Sequence, residues 1–158
     1  GGLGAPEPTR VAWGARGVNC GKNYEGLCVA PGEPAGACAG YLAARTDGKL
    51  WCLVREGARL VADPARAIEV TGGNALTGCD VSPDGATLWA GANPLGGAMV
   101  WRVTGWREPA TAAVVEVGGF GDGFPESLAV GDGGVVYRLS DTGRGEARSL
   151  AGRWRGAP

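Results

Sequence analysis

The sequence contains no histidine. That absence removes the commonest general base, the Ser-His-Asp and Cys-His nucleophile systems, and imidazole metal ligands. Lysine is nearly missing as well. Only Lys22 and Lys49 occur, so arginine carries almost all of the positive charge. With Lys plus Arg at 15 and Asp plus Glu at 16, the net charge is −1, which excludes a polycation built to hold nucleic acid. No apolar run approaches the ~20 residues of a membrane-spanning helix, and no secretory leader is visible. The chain opens on Gly1-Gly2 rather than Met, which reads as a processed end or a remnant of cloning. Neither a C-x-x-C pair nor a Walker loop, dinucleotide fingerprint or EF-hand is present. Asp122, Glu126 and Asp132 are the carboxylates nearest to a cation-binding arrangement, but Asp before Gly is first of all turn chemistry. No metal, no cofactor and no catalytic residue is expected, and the protein is not read as an enzyme.

What the chain has in excess is glycine. There are 31 Gly and 10 Pro among 158 residues, with 44% hydrophobic residues beside them. That is too apolar for a disordered chain and too interrupted for long helices. Many turns between short apolar runs predict short strands and an all-β fold. Five cysteines, Cys20, Cys28, Cys38, Cys52 and Cys79, are many for a reducing compartment. One or two disulfides among Cys20, Cys28, Cys38 and Cys52 are expected, and with them an oxidising setting: secreted, periplasmic or an organelle lumen. Cys79 is expected to be the thiol left over. The competing reading is buried free thiols that pack as small hydrophobes.

Residues 1–36 read as an exposed arm followed by a loop-rich, Cys-containing segment. A short strand is expected near Thr9 to Gly14 and a loop tied by Cys20 to Cys28 after it. From Ala37 a repeat appears. Asp47-Gly48, Asp84-Gly85 and Asp132-Gly133 each stand between apolar runs, and each is followed by an aromatic: Trp51, Trp89 and Tyr137. A second pattern recurs, Ile68-Glu69-Val70-Thr71-Gly72-Gly73 and Val115-Glu116-Val117-Gly118-Gly119. The central unit predicts strands at Leu76–Ser82, Thr87–Gly91, Ala98–Thr104 and Ala112–Val117. Met99, Trp101 and Val103 share one face there, and Arg102 and Thr104 the other. A turn is expected at Asp63-Pro64. Repeats of roughly 40 residues, each with about four antiparallel strands, are the sequence form of propeller blades. The units are 37–73, 74–119 and 120–152, within a repeat domain of 37–158.

Val81-Ser82-Pro83-Asp84-Gly85-x-x-Leu88-Trp89 is followed by Met99-Val100-Trp101-Arg102-Val103 and Ala113-Val114-Val115-Glu116-Val117-Gly118. This series resembles the YVTN/lactonase-like β-propeller repeat, over about residues 37–150 and best in the middle unit. The resemblance implies about three four-stranded antiparallel blade-like sheets, a partial or small propeller where complete rings of that family close with about seven blades. It implies no activity here, because no catalytic set of that family maps onto these residues.

Trp51, Trp89 and Trp101 fall in strands and read as packing. Trp13, Trp106 and Trp154 fall near segment ends or loops and are the candidates for meeting a partner or a sugar ring, together with Arg107, Arg153 and Arg155. With Arg144 and Arg148, the C-terminal part is locally basic. It suits an acidic protein partner or, as a peripheral contact, anionic lipid headgroups. The reading that follows is a non-catalytic binding or scaffold subunit that docks on other protein chains, in a homo- or hetero-oligomer. The alternatives are a carbohydrate-binding, lectin-like propeller and part of a larger lactonase-like propeller enzyme.

Overall fold

The computed structural model describes residues 11–13, 23–32, 34–93, 98–119, 124–141 and 150–155. Cys20, Arg144 and Arg148 lie outside the described residues, as does Asp122.

Alternation of apolar and polar residues, cut by Gly and Pro, gives twelve strands among the described residues: β1 (Val11–Trp13), β2 (Tyr24–Val29), β3 (Gly40–Ala44), β4 (Lys49–Glu56), β5 (Arg59–Glu69), β6 (Leu76–Val81), β7 (Thr87–Ala92), β8 (Met99–Thr104), β9 (Ala113–Gly118), β10 (Phe124–Gly131), β11 (Val135–Asp141) and β12 (Leu150–Arg155). No α-helix occurs among the described residues; two short 3₁₀ turns do, at Pro109–Thr111 and Asp132–Gly134. The strands form three blade-like sheets. The first has the order β1-β5-β4-β3-β2, the second β6-β7-β8-β9 and the third β10-β11-β12. Pairing is antiparallel throughout, except that β1 lies parallel to β5 at the edge of the first sheet.

The sheets stack in chain order, so the second has a neighbour on each face. Cys79, Val81, Leu88, Ala90, Trp101 and Val103 join the core shared with the first sheet. Trp89 and Val100, from the opposite face, pack with Leu128 and Val136 of the third. The expected split of β8, with Trp101 and Val103 on one side and Arg102 on the other, is what separates these two cores.

The opening strands β2, β6 and β10 run beside one another and carry the real repeat. Each has a bulge at the same place: between Tyr24 and Gly26, between Leu76 and Gly78, and between Pro125 and Ser127. A bulge sharpens local twist and bends the strand. Two glycines let the opening strands come close. A Cβ on Gly26 would sit 3.0 Å from the Cys79 nitrogen and 3.0 Å from the Gly78 Cα, and one on Gly78 would sit 3.3 Å from the Leu128 nitrogen.

Four expectations need correction. The stretch 14–36, read as looped, contains β2. The turn in the first sheet is at Gly57-Ala58, where Gly57 has φ 62°. Asp63-Pro64 instead lies within β5, where the pairing with β4 slips between Trp51 and Leu53. Asp63 accommodates this slip by accepting from the Ala65 amide at 2.9 Å and from Arg66 Nε at 2.8 Å. Third, Asp47-Gly48 joins β3 to β4, the second and third strands when β2 is counted as the first, whereas Asp84-Gly85 and Asp132-Gly133 join the first and second strands of their sheets. Asp-Gly serves any tight hairpin, so it marked turns and not equivalent positions. The Glu69 and Glu116 segments, at the ends of β5 and β9, are equivalent. Fourth, Cys79 is not a spare thiol but is bonded to Cys28, as described next.

Candidate functional site

Function in a stack of sheets has to come from the joints between sheets or from the faces left outside them. The joint between the first and second sheets is covalent and apolar. Cys28 on β2 is bonded to Cys79 on β6, with Cα atoms 5.7 Å apart, and Cys38 is bonded to Cys52 with Cα atoms 5.5 Å apart. The expected tie from Cys20 to Cys28 is therefore replaced. Bulge register and sheet stacking bring Cys28 opposite Cys79, and neither can be seen from spacing alone.

Trp106 was expected on the surface. It is 1% exposed and closes this same joint. Its Nε1 donates to the Gly85 carbonyl at 3.2 Å, its carbonyl accepts from the Tyr41 hydroxyl, and its ring meets Tyr41 edge-on at 6.2 Å. Arg107 stacks over the indole at 4.4 Å, and its carbonyl accepts from the Cys38 amide at 3.1 Å. Burial raises the Tyr41 hydroxyl well above the ordinary tyrosine range. A loop tryptophan behaves as core here because the loop folds back onto the first sheet. Trp13 lies in β1, on the parallel edge of that sheet.

The joint between the second and third sheets adds polar ties to the apolar contacts of Trp89, Val100, Leu128 and Val136. Arg138, on the face of β11 that meets the second sheet, is fully buried. Its guanidinium donates to the carbonyls of Ser127 (3.2 Å), Met99 (3.0 Å) and Pro125 (2.9 Å) and to the Thr77 hydroxyl (3.2 Å). No carboxylate is among these partners, and burial pushes the group down to about 10, still charged at neutral pH. Gly91 makes room for it: a Cβ there would lie 2.6 Å from Arg138 Nη1. Asp80 on β6 adds a second polar tie, accepting from the Val130 amide at 2.7 Å.

Beside this joint the two sheets part into a cleft of about 740 Å³. Its walls come from Trp89 and Arg102 of the second sheet, Trp154 of the third, and the two turns that carry Asp84 and Asp132. Trp154, predicted as a surface residue, faces inward and meets Trp89 edge-on at 5.5 Å and 62°. The Ser82–Asp84 turn is tied by its own side chains. The Ser82 hydroxyl donates to Asp84 at 2.5 Å and accepts from the Thr87 amide at 2.9 Å, and the Ala86 amide donates to Asp84 at 3.0 Å. These bonds, the Ser82 hydroxyl first, hold the Asp84 carboxyl below its usual range.

The third sheet's other face is open. Tyr137 is 42% exposed and Leu139 54%. Arg153 pairs directly with Tyr137 in the register, and Arg155 lies two residues further along the same face. Of the residues singled out from sequence, the structure thus brings Arg153 and Arg155 together, turns Trp154 away from them into the cleft, and buries Trp106. Arg138, Thr77 and Asp80 were missed. The available signal was Val136, Arg138 and Ser140 on one face of a strand, with Tyr137 and Leu139 on the other.

Among the described residues no group of three or more Cys, Asp or Glu is placed to hold a metal, and no helix is long and apolar enough to cross a membrane. No protein-family model matches the chain, and no curated protein does. Among solved structures it is similar in fold to hydrazine synthase from Kuenenia stuttgartiensis, at 19% identity and a TM-score of 0.54. The match takes in 80% of this chain and 32% of that one, so the chain spans about a third of its length.

Proposed function

We propose that the chain is a non-catalytic, blade-built binding module that docks on other protein chains in an oxidising compartment. The carrying observation is the outer face of the third sheet, where exposed Tyr137 and Leu139 lie beside Arg153 and Arg155, whose side chains make no ion pair or hydrogen bond among the described residues. Burying a leucine or an aromatic of this kind yields about 1.5–3 kcal/mol each. An aromatic and an aliphatic anchor beside arginines is the make-up of interface hot spots. The complementary surface is a protein patch that is apolar at its centre and rimmed by carboxylates. Leu27, 54% exposed, and Val29, 40% exposed, leave a smaller apolar strip on the outward side of β2 in the first sheet. The two disulfides support a secreted, periplasmic or lumenal setting.

The blade units carry the likeness to YVTN/lactonase-like propellers as part of this proposal. The fold likeness to hydrazine synthase supports the layout of the sheets and brings no activity with it.

Native mass spectrometry of the chain from its own source tests the reading, beside Leu139→Glu and Arg153→Glu variants with unchanged melting temperature. The expected result is a stoichiometric complex that both variants dissolve. A monodisperse single chain, or a complex indifferent to both changes, overturns it.

A further inference from the structure

The cleft between the second and third sheets is separate from the outer faces used above, and its chemistry differs from theirs. We propose that it is a carbohydrate-binding site, with the Trp154 indole as the stacking platform and Arg102 and Asp132 as the hydrogen-bonding rim.

A pyranose ring has a face of C–H groups and an edge of hydroxyls. It is held by a flat apolar surface beneath and by planar groups with paired donors or acceptors at the side. The cleft supplies both. Trp154 is partly exposed, whereas Trp89 is nearly buried, so the ring of Trp154 is the one a ligand meets. The edge-on contact with Trp89 fixes its orientation before any ligand arrives, which spares the entropy of ordering it.

Arg102 projects from the same face of the second sheet as Trp89, its direct partner in the register. Its side chain makes no ion pair or hydrogen bond among the described residues, and neither does the Asp132 carboxylate. Both are free to engage neighbouring hydroxyls, one as a donor fork and the other as a two-oxygen acceptor. Asp84 is already occupied by its own turn, so it shapes the wall without competing for the ligand. The glycines after Asp132 keep that rim low: a Cβ at Gly133 or Gly134 would meet nothing within 4 Å.

Size and charge narrow the class. A volume of about 740 Å³ suits a ligand of a few rings and is far too small for a folded partner. One arginine against two aspartates gives no field for a polyphosphate or a nucleic acid. The cleft therefore fits a short neutral oligosaccharide, or one with a single uronic acid set against Arg102.

The test uses the whole, oxidised chain on an array of neutral and uronic-acid oligosaccharides. The best binder is then titrated while tryptophan fluorescence is followed. Binding with a saturable fluorescence change is expected, weakened about tenfold by Trp154→Ala and severalfold by Arg102→Gln or Asp132→Asn. Trp154→Phe keeps a flat ring and should retain most of the affinity. If Trp154→Ala does not fold, the two polar variants decide alone, since neither group supports the fold. A blank array, binding that ignores all of these changes, or selective capture of an extended peptide in place of any glycan overturns the proposal. None of these results bears on docking through Tyr137 and Leu139, which Leu139→Glu reports separately.

Discussion

The two joints of the stack solve the same problem in opposite ways. Between the first and second sheets, backbones touch at Gly26 and Gly78, a disulfide crosses at Cys28 and Cys79, and Trp106 is sealed under Tyr41. Between the second and third, a buried arginine reaches across to carbonyls, an aspartate takes an amide, and the space beyond them stays open as a cleft. A dry joint gains from area and fixes its halves firmly. A polar joint gains little net energy but is specific, because every misalignment strands a donor or an acceptor. The same contrast bears on where a ligand finds room: beside the second joint, the Arg102 and Asp132 side chains keep their hydrogen bonds unspent among the described residues.

Removing Arg138 is the most damaging way to test that contrast. Arg138→Ala leaves the carbonyls of Met99, Ser127 and Pro125 and the Thr77 hydroxyl without this donor, and opens a void. The expected loss is about 3–5 kcal/mol in urea unfolding. Amide exchange should rise in β10–β12 while β3 and β4 stay protected; uniform exposure would show that the two joints do not act separately. Cys28→Ala with Cys79→Ala strikes the other joint, for about 2–4 kcal/mol, and should raise exchange in β2 and spare β11.

The opening-strand glycines sharpen the comparison further. Gly26→Ala presses a methyl group on backbone at 3.0 Å, and Gly78→Ala on backbone at 3.3 Å. Both should destabilise by about 1–3 kcal/mol, Gly26→Ala the more. The reverse order in paired melting curves would mean that the first joint is the softer one.

Tyr41→Phe is smaller, at about 1 kcal/mol for the hydrogen bond to Trp106. It carries a pH signature. Because burial holds the folded tyrosine above its ordinary range, its contribution is complete below pH ~10 and is lost as pH rises through the folded value. The alkaline decline of stability should therefore be shallower in the variant. Arg138 is common to both proteins and cancels in the difference. The smallest effect is at Asp84. Its carboxyl is depressed, so its support is complete above the ordinary carboxylate range and fades as pH falls through the folded value. Asp84→Asn should flatten the acid limb of the stability profile.

Strands of the second sheet were readable within a residue or so, because alternation and Gly/Pro punctuation are local. So was the face division of β8, which follows from period two. The disulfide partners were not readable: Cys28 meets Cys79 only after two sheets have stacked. Trp106 misled for the same reason, since a loop position says nothing about what the loop folds onto. Asp63-Pro64 showed turn composition, but its side-chain bonds hold it in a bulge within one long strand. Of the cleft, Trp154 was singled out from sequence, while the Arg102 and Asp132 rim depends on which sheet stands opposite.

The crossing of Cys28 to Cys79, with Cys38 to Cys52 nested inside it, also decides how the molecule answers a mechanical pull. Tension applied to its two ends bypasses everything between residues 28 and 79 while the outer bridge is intact, a span of 51 residues. Stretching then unravels only the flanking chain. Reduction releases roughly 170–180 Å of hidden length, so a thiol reductant sets the extensibility of the protein.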